Sequence, residues 1–171
     1  TMTGRIVVGV DGTEGGRRAL TWALRHAGTI DANVLAAAVY YDPAALEPDA
    51  DPNREPSPRA QAARRDAERH LANDVAAVRA WVPDAPPVET IVVPGDVIAH
   101  ALTALAESAD LLVVGSHGHG VVTSRVLGTV SMGCVTSAPC PVLVVPAKDR
   151  TAPTTPPDET ARDRPLLAAR R

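Results

Sequence analysis

Two glycine-rich stretches lie close together in the second half of the chain. The first is Gly115-Ser116-His117-Gly118-His119-Gly120; after a run from Val121 to Leu127 comes the second, Gly128-Thr129-Val130-Ser131. Glycine lets a loop expose backbone N–H groups and approach a ligand with no Cβ in the way. A helix starting at Gly128 would add N–H donors without intrahelical partners and a partial positive charge. Thr129 and Ser131 would bring hydroxyl donors to the same end. Together these residues make an anion site suited to phosphate, built without a lysine. The only lysine is Lys148, so there is no Walker-type loop. Each glycine alone reads as a turn or a cap, and only the spacing argues for a site. His117 and His119 form a His-x-His pair, but two histidines with no third ligand in view do not make a metal centre. They are read as polar loop residues, His119 being able to donate to a phosphate. Asp11, in Val10-Asp11-Gly12, is the other residue of interest: a carboxylate that could accept from ligand hydroxyls, or a turn or helix-capping aspartate.

The elements that must position these residues follow from the apolar pattern. Arg5 to Val10 is a continuous β-rich run, suited to a strand buried on both faces. Ala19, Leu20, Ala23, Leu24 and Ala27 recur at helical spacing, with Gly28 as the expected stop. Val34 to Tyr41 is a second strand. Asp42 to Arg59 interrupts this rhythm with Pro43, Pro48, Pro52, Pro56 and Pro58 and a net charge of -3, and is expected to be an irregular insert. A helix over Arg59–Val82, a strand at Val88–Val93, and a helix from Val97 to Leu105, capped by Asp96, come next. A strand at Leu111–Val114, a helix over about Gly128–Ser137 and a strand at Val142–Val145 complete the pattern. His26, His70 and His100 fall within helices as ordinary polar residues. Lys148 to Arg171 reads as a disordered tail, leaving one domain over 1–147. Five strands alternating with four helices predict an α/β sandwich with right-handed crossovers. In such sheets ligands bind beyond the carboxyl ends of the strands, where strand order reverses. Asp11 and the glycine loop follow strands one and four, as that geometry requires.

Composition excludes several alternatives. The chain has 171 residues, is 45% apolar and contains no phenylalanine. Its core must rest on Val, Leu, Ile and Ala, and it lacks the aromatic platforms on which single-stranded nucleic acid stacks. A net charge of -3 offers no general attraction to phosphate backbones, so no nucleic-acid partner is expected. Cys134 and Cys140 make no disulfide framework and read as reduced thiols. No apolar stretch approaches the ~20 residues of a membrane span, and no export signal opens the chain, so a cytoplasmic protein is expected. The turn Gly9-Val10-Asp11-Gly12-Thr13-Glu14-Gly15-Gly16 lacks the GxGxxG frame of nicotinamide dehydrogenases.

The pattern Gly115-x2-Gly118-x9-Gly128-Thr129 resembles the nucleotide-binding signature of the universal stress protein family, ATP-binding subgroup. The flanking sequence from Val113 to Pro146 is similar to the C-terminal half of that family, and Arg5 to Ala27 to its opening strand and helix. One departure is Ser137, where many relatives carry histidine before the Cys-Pro of the last strand. The resemblance implies a Rossmann-like three-layer sandwich with a five-stranded parallel sheet, order 3-2-1-4-5, and two helices on each face. It implies that Gly9, Val10 and Asp11 contact the nucleoside, with Asp11 accepting from ribose, and that the backbone of Val39 reads the adenine edge. Gly115, Gly118, Gly128 and Thr129, with His119, Val130 and Ser131 beside them, would hold the phosphates. ATP is the implied ligand, with Mg2+ or Mn2+ carried mainly on phosphate oxygens. A homodimer through the last strand is implied as well. No general base, nucleophile or arginine finger stands in register, so a regulatory stress-response module with at most slow hydrolysis is expected. The alternatives are another adenine nucleotide such as cAMP, or an ATPase or phosphotransferase.

Overall fold

The computed structural model describes residues 4–51, 54–82, 84–117 and 127–146. Five strands, β1 (Gly4–Gly9), β2 (Ala32–Tyr40), β3 (Val88–Pro94), β4 (Leu111–Gly115) and β5 (Val142–Val145), form one sheet in the order β3-β2-β1-β4-β5. Every neighbouring pair is parallel, with Ile6 beside both Val34 and Leu111. The strands alternate with α1 (Glu14–Ile30), α2 (Pro58–Trp81), α3 (Ile98–Leu105) and α4 (Thr129–Ser137). The period of two along each strand divides the core between the faces. Ile6, Val8, Val34 and Ala36 pack with Leu20 and Leu24 of α1 and Leu71 and Val78 of α2. Val7, Leu35, Leu112 and Val114 pack on the other face with Ala99 and Leu102 of α3 and Cys134 of α4. The expected three-layer sandwich, its strand order and its two helices per face are all present. No helix among the described residues is long and apolar enough to cross a membrane.

Three local expectations need correction. Gly28 does not end α1, which runs on to Ile30 and closes at Asp31, in the left-handed region (φ 54°), whose N–H donates to the Ala27 carbonyl. Aspartate tolerates this conformation better than most residues, so it replaces glycine as the stop. A Cβ at Gly28 would meet nothing within 4 Å. Gly28→Ala is therefore expected to stabilise the protein by about 0.5–1 kcal/mol, read as a rise in melting temperature; no rise would mean that this turn of α1 is frayed.

The segment 42–59 carries regular structure only near its two ends, where none was expected. Pro43–Leu46 forms a single 3-10 turn, and Ser57 caps α2 by accepting from the Ala60 N–H, with Pro58 as its first residue. Proline at that position sacrifices no intrahelical donor, so the last proline of the insert starts a helix instead of breaking one. Asp42 is buried and takes Arg54 at 3.4 Å, tying the start of the insert to its later part. Asp96, finally, accepts from the N–H of its neighbour Val97; the N-cap of α3 is Val97 itself, with no side-chain cap. The predicted tail at 148–171 lies outside the described residues.

Candidate functional site

β1 and β4 lie side by side, but their following helices leave on opposite faces of the sheet. This is the switch point of the topology, and a cleft of about 370 Å³ opens at the carboxyl ends of the strands there. Gly9, Val10 and Asp11 enter it from β1 and its turn, and Val39 from β2. Gly115 enters from β4, and Gly128, Thr129, Val130 and Ser131 from the start of α4. Four separate stretches of chain thus bring nine of the expected residues to one cavity. Gly118 and His119 lie outside the described residues.

The backbone around this cleft is packed to the point where glycine is needed. A Cβ at Gly115 would lie 2.8 Å from the Gly15 carbonyl carbon, and one at Gly15 would lie 2.7 Å from the His117 carbonyl oxygen. The first turn of α1 therefore sits directly on the end of β4. The start of α4 is held by the Gly128 N–H, which donates to the Ser116 carbonyl at 2.8 Å, while the Ser116 N–H donates to Val145. No side chain caps α4 at Gly128. Its opening N–H groups lack intrahelical acceptors by construction of the helix, and they lie where the cleft ends.

The polar side chains divide their work differently from expectation. Asp11 accepts through Oδ1 from both the N–H and the hydroxyl of Thr13, and Thr13 in turn caps α1 by accepting from the Gly16 N–H. Asp11 is a turn aspartate and a cleft residue at once. The Ser131 hydroxyl is buried and donates to the Gly115 carbonyl at 2.6 Å. It ties α4 to β4, and its proton points to that carbonyl. Behind the turn, Arg17 Nη1 reaches both the Gly12 carbonyl and Asp74 Oδ1, each at 3.2 Å, so α2 braces the loop that carries Asp11. Gly12 has φ +79°, a left-handed conformation that glycine adopts without strain. Neither thiol is activated: burial pushes Cys134 up to about 11 and raises Cys140 as well.

Sequence reasoning missed part of the lining. Ile98 and Leu102, one turn apart on α3, line the cleft together with Val39 and Ala37 and give it an apolar wall. Their spacing marked them as helix-core residues; that α3 starts at the ligand-binding end of the sheet was the available clue. His117 also lines the cleft, its Nδ1 2.9 Å from the Ser116 hydroxyl.

A parallel sheet wound on both faces, with a glycine-lined cleft at its switch point, defines an open doubly wound α/β protein. The chain belongs to the universal stress protein family, whose family model matches residues 2–146. It is 31% identical over 139 residues to a universal stress protein of Mycobacterium tuberculosis, covering 81% of this chain and 44% of that one. The chain spans less than half the length of the curated relatives it matches. Among solved structures, a universal stress protein in complex with cAMP is 26% identical, with a TM-score of 0.54, over 86% of this chain and all of that one. The universal stress protein from Archaeoglobus fulgidus in complex with dAMP shares the fold at 15% identity and a TM-score of 0.56, over 85% and 99% of the two chains.

Proposed function

We propose that this chain binds an adenine nucleotide in the cleft at the switch point and acts as a nucleotide-responsive regulatory module, with ATP as the leading ligand. The observation that carries this reading is the convergence of Gly9–Asp11, Val39, Gly115 and Gly128–Ser131 on one cavity. The apolar wall of Val39, Ile98 and Leu102 suits a purine ring, and Asp11 suits a ribose hydroxyl. The helix start at Gly128–Val130 suits phosphate, since anions are favoured at the positive end of a helix. A cavity of this size lies in the range that takes a small ligand. Among the described residues no cluster of three His, Cys, Asp or Glu could hold a metal, so Mg2+ or Mn2+ would travel on the phosphates. No lysine or arginine lines the described part of the cleft to stabilise a transferring phosphoryl group, which favours binding over rapid turnover.

A second reading, cAMP as the ligand, draws on the likeness to the family member solved with that nucleotide. Titration calorimetry with ATP, AMP and cAMP on one preparation ranks the three. Affinity for none of them at millimolar concentration overturns the proposal. The role of Asp11 is tested in the same series. Asp11→Ala is expected to cost about 1–3 kcal/mol of ATP affinity, and to lose much less against 2′-deoxy-ATP. Equal losses on the two ligands would leave Asp11 as the residue that organises Thr13 and nothing more.

A homodimer through β5 is part of the same proposal. That strand is an edge of the sheet, is apolar throughout and is half-buried in the single chain.

A further inference from the structure

His117 is the one residue of the described cleft lining that can gain a positive charge near neutral pH. The other titratable lining residue is the Asp11 carboxylate. A nucleotide entering here brings at least one negative charge into a site that already holds one. Backbone N–H groups offset this only with partial charges. A histidine can do more, because imidazole acquires a full charge between about pH 5 and 8 when its surroundings favour it.

His117 is held by its neighbours on several sides. Its Nδ1 is 2.9 Å from the hydroxyl of Ser116, which is 7% exposed. Ser116 is itself fixed at both ends, its N–H on the Val145 carbonyl of β5 and its carbonyl on the Gly128 N–H at the start of α4. The His117 carbonyl lies against Gly15 of α1, and its Cα lies 3.5 Å from where a Cβ on Gly128 would stand. Three elements therefore hold this backbone, and a buried hydroxyl engages one ring nitrogen. His117 thus lines the cleft next to Gly128 and Thr129, where the phosphates are proposed to lie.

We propose that His117 is a phosphate ligand of the bound nucleotide, and that nucleotide binding is accompanied by uptake of a proton on its imidazole. This rests on the nucleotide-binding reading above and adds to it a residue and a pH dependence. A phosphate beside the ring favours the imidazolium, so proton affinity at His117 is higher in the complex than in the free protein. By linkage, nucleotide affinity rises as pH falls through the range where the complex holds the proton and the free protein does not. Among the described residues of the neighbouring elements, the β1–α1 turn carries the Asp11 carboxylate, and the first turns of α1 carry Glu14 and Arg18, which pair with each other at 3.9 Å. β4, β5 and the opening turn of α4 bring no titratable side chain to it. His119 lies outside the described residues and is handled as an arm of the test.

The experiment is calorimetric titration of the wild-type chain and of His117→Gln with ATP in excess magnesium, which keeps the phosphate charge constant from about pH 6.5 to 8.5. Each pH is measured in two buffers of different ionisation heat, so that proton uptake is read directly. Wild type is expected to bind at least fivefold more tightly at pH 6.5 than at pH 8.5, with net proton uptake. His117→Gln is expected to bind more weakly at pH 6.5 and to show neither the slope nor the uptake. Adenosine, which has no phosphate, should bind wild type with no such slope, a control that does not depend on the variant folding. Absence of ATP binding at every pH overturns both proposals. Binding with equal uptake in wild type and His117→Gln overturns this one alone, as does a slope for adenosine equal to that for ATP. A slope abolished by His119→Gln but kept in His117→Gln would also overturn it, by assigning the proton to His119.

Discussion

Replacing Gly115 by alanine is expected to destabilise the protein by about 1–3 kcal/mol, the range for overpacking a close-packed site. For a chain of this size that is a fall of roughly 3–10 °C in melting temperature. The added methyl would lie 2.8 Å, 2.9 Å and 3.2 Å from the carbonyl carbon, the oxygen and the Cα of Gly15, all of them backbone. No rotamer change relieves such contacts. The first turn of α1 must move off the end of β4, and with it the Thr13 cap and the Asp11 turn. Gly128→Ala is a different case. Its Cβ would be 3.2 Å from the Ser116 carbonyl oxygen and 3.5 Å from the His117 Cα, and its φ of -64° suits alanine. The fold should survive with a small loss. The methyl does stand at the mouth of α4, where a phosphate would approach the first N–H groups, and ATP affinity should fall tenfold or more, ~1.4 kcal/mol. Thermal melts and calorimetry on the two variants separate the roles. A Gly128→Ala protein that binds ATP like wild type would remove α4 from the phosphate site. A Gly115→Ala protein that melts like wild type would mean that the α1–β4 contact yields easily.

The difference between these glycines explains which parts of the structure can be read from sequence. Continuous apolar runs such as Arg5–Val10 identify strands because both faces of a central parallel strand must be covered, and the structure buries Val7 and Val8 completely. Helical spacing identified the inner faces of α1 and α2 for the same reason. What could not be read depends on contacts between segments far apart in the chain. Nothing local distinguishes Gly28, which is free of contacts, from Gly115, which is crowded by Gly15 one hundred residues earlier. Likewise, Ser131 resembles a phosphate-facing hydroxyl until α4 is docked on β4 and the Gly115 carbonyl claims its proton. The apolar wall from Ile98 and Leu102 was hidden in another way. The same two residues satisfy the rules for a buried helix face, and only the direction in which α3 starts turns that face toward the cleft. At the end of the insert composition hid a boundary: five prolines argue for irregular chain, yet the last of them, Pro58, sits where a helix accepts proline without loss, so α2 starts one residue early.

Val144→Pro is expected to raise the dissociation constant of the proposed dimer roughly tenfold or more while leaving the single chain folded. The reason lies in which way the β5 backbone faces. Leu112 N–H donates to the Pro141 carbonyl and Ser116 N–H to the Val145 carbonyl, so the odd-numbered carbonyls of this segment turn toward β4. With a period of two, the backbone groups of Val142 and Val144 turn outward, to the free edge of the sheet. An antiparallel two-fold copy would pair with those groups, and proline at 144 removes the central donor from both partners at once. It does so without touching the β4–β5 ladder, and proline is tolerated on an edge strand when its missing N–H faces away from the sheet. A charge at the same position would be a poorer probe, because the Val144 side chain packs on the core beside Val114 and Cys134. Lysine there would disturb folding and association together. Light scattering coupled to gel filtration, with wild type and variant at equal concentration, reads the outcome. A wild type that is monomeric at tens of micromolar would rule out a dimer of useful strength. A Val144→Pro protein that stays dimeric would move the interface away from β5, to the opposite edge at β3 or to a helical face.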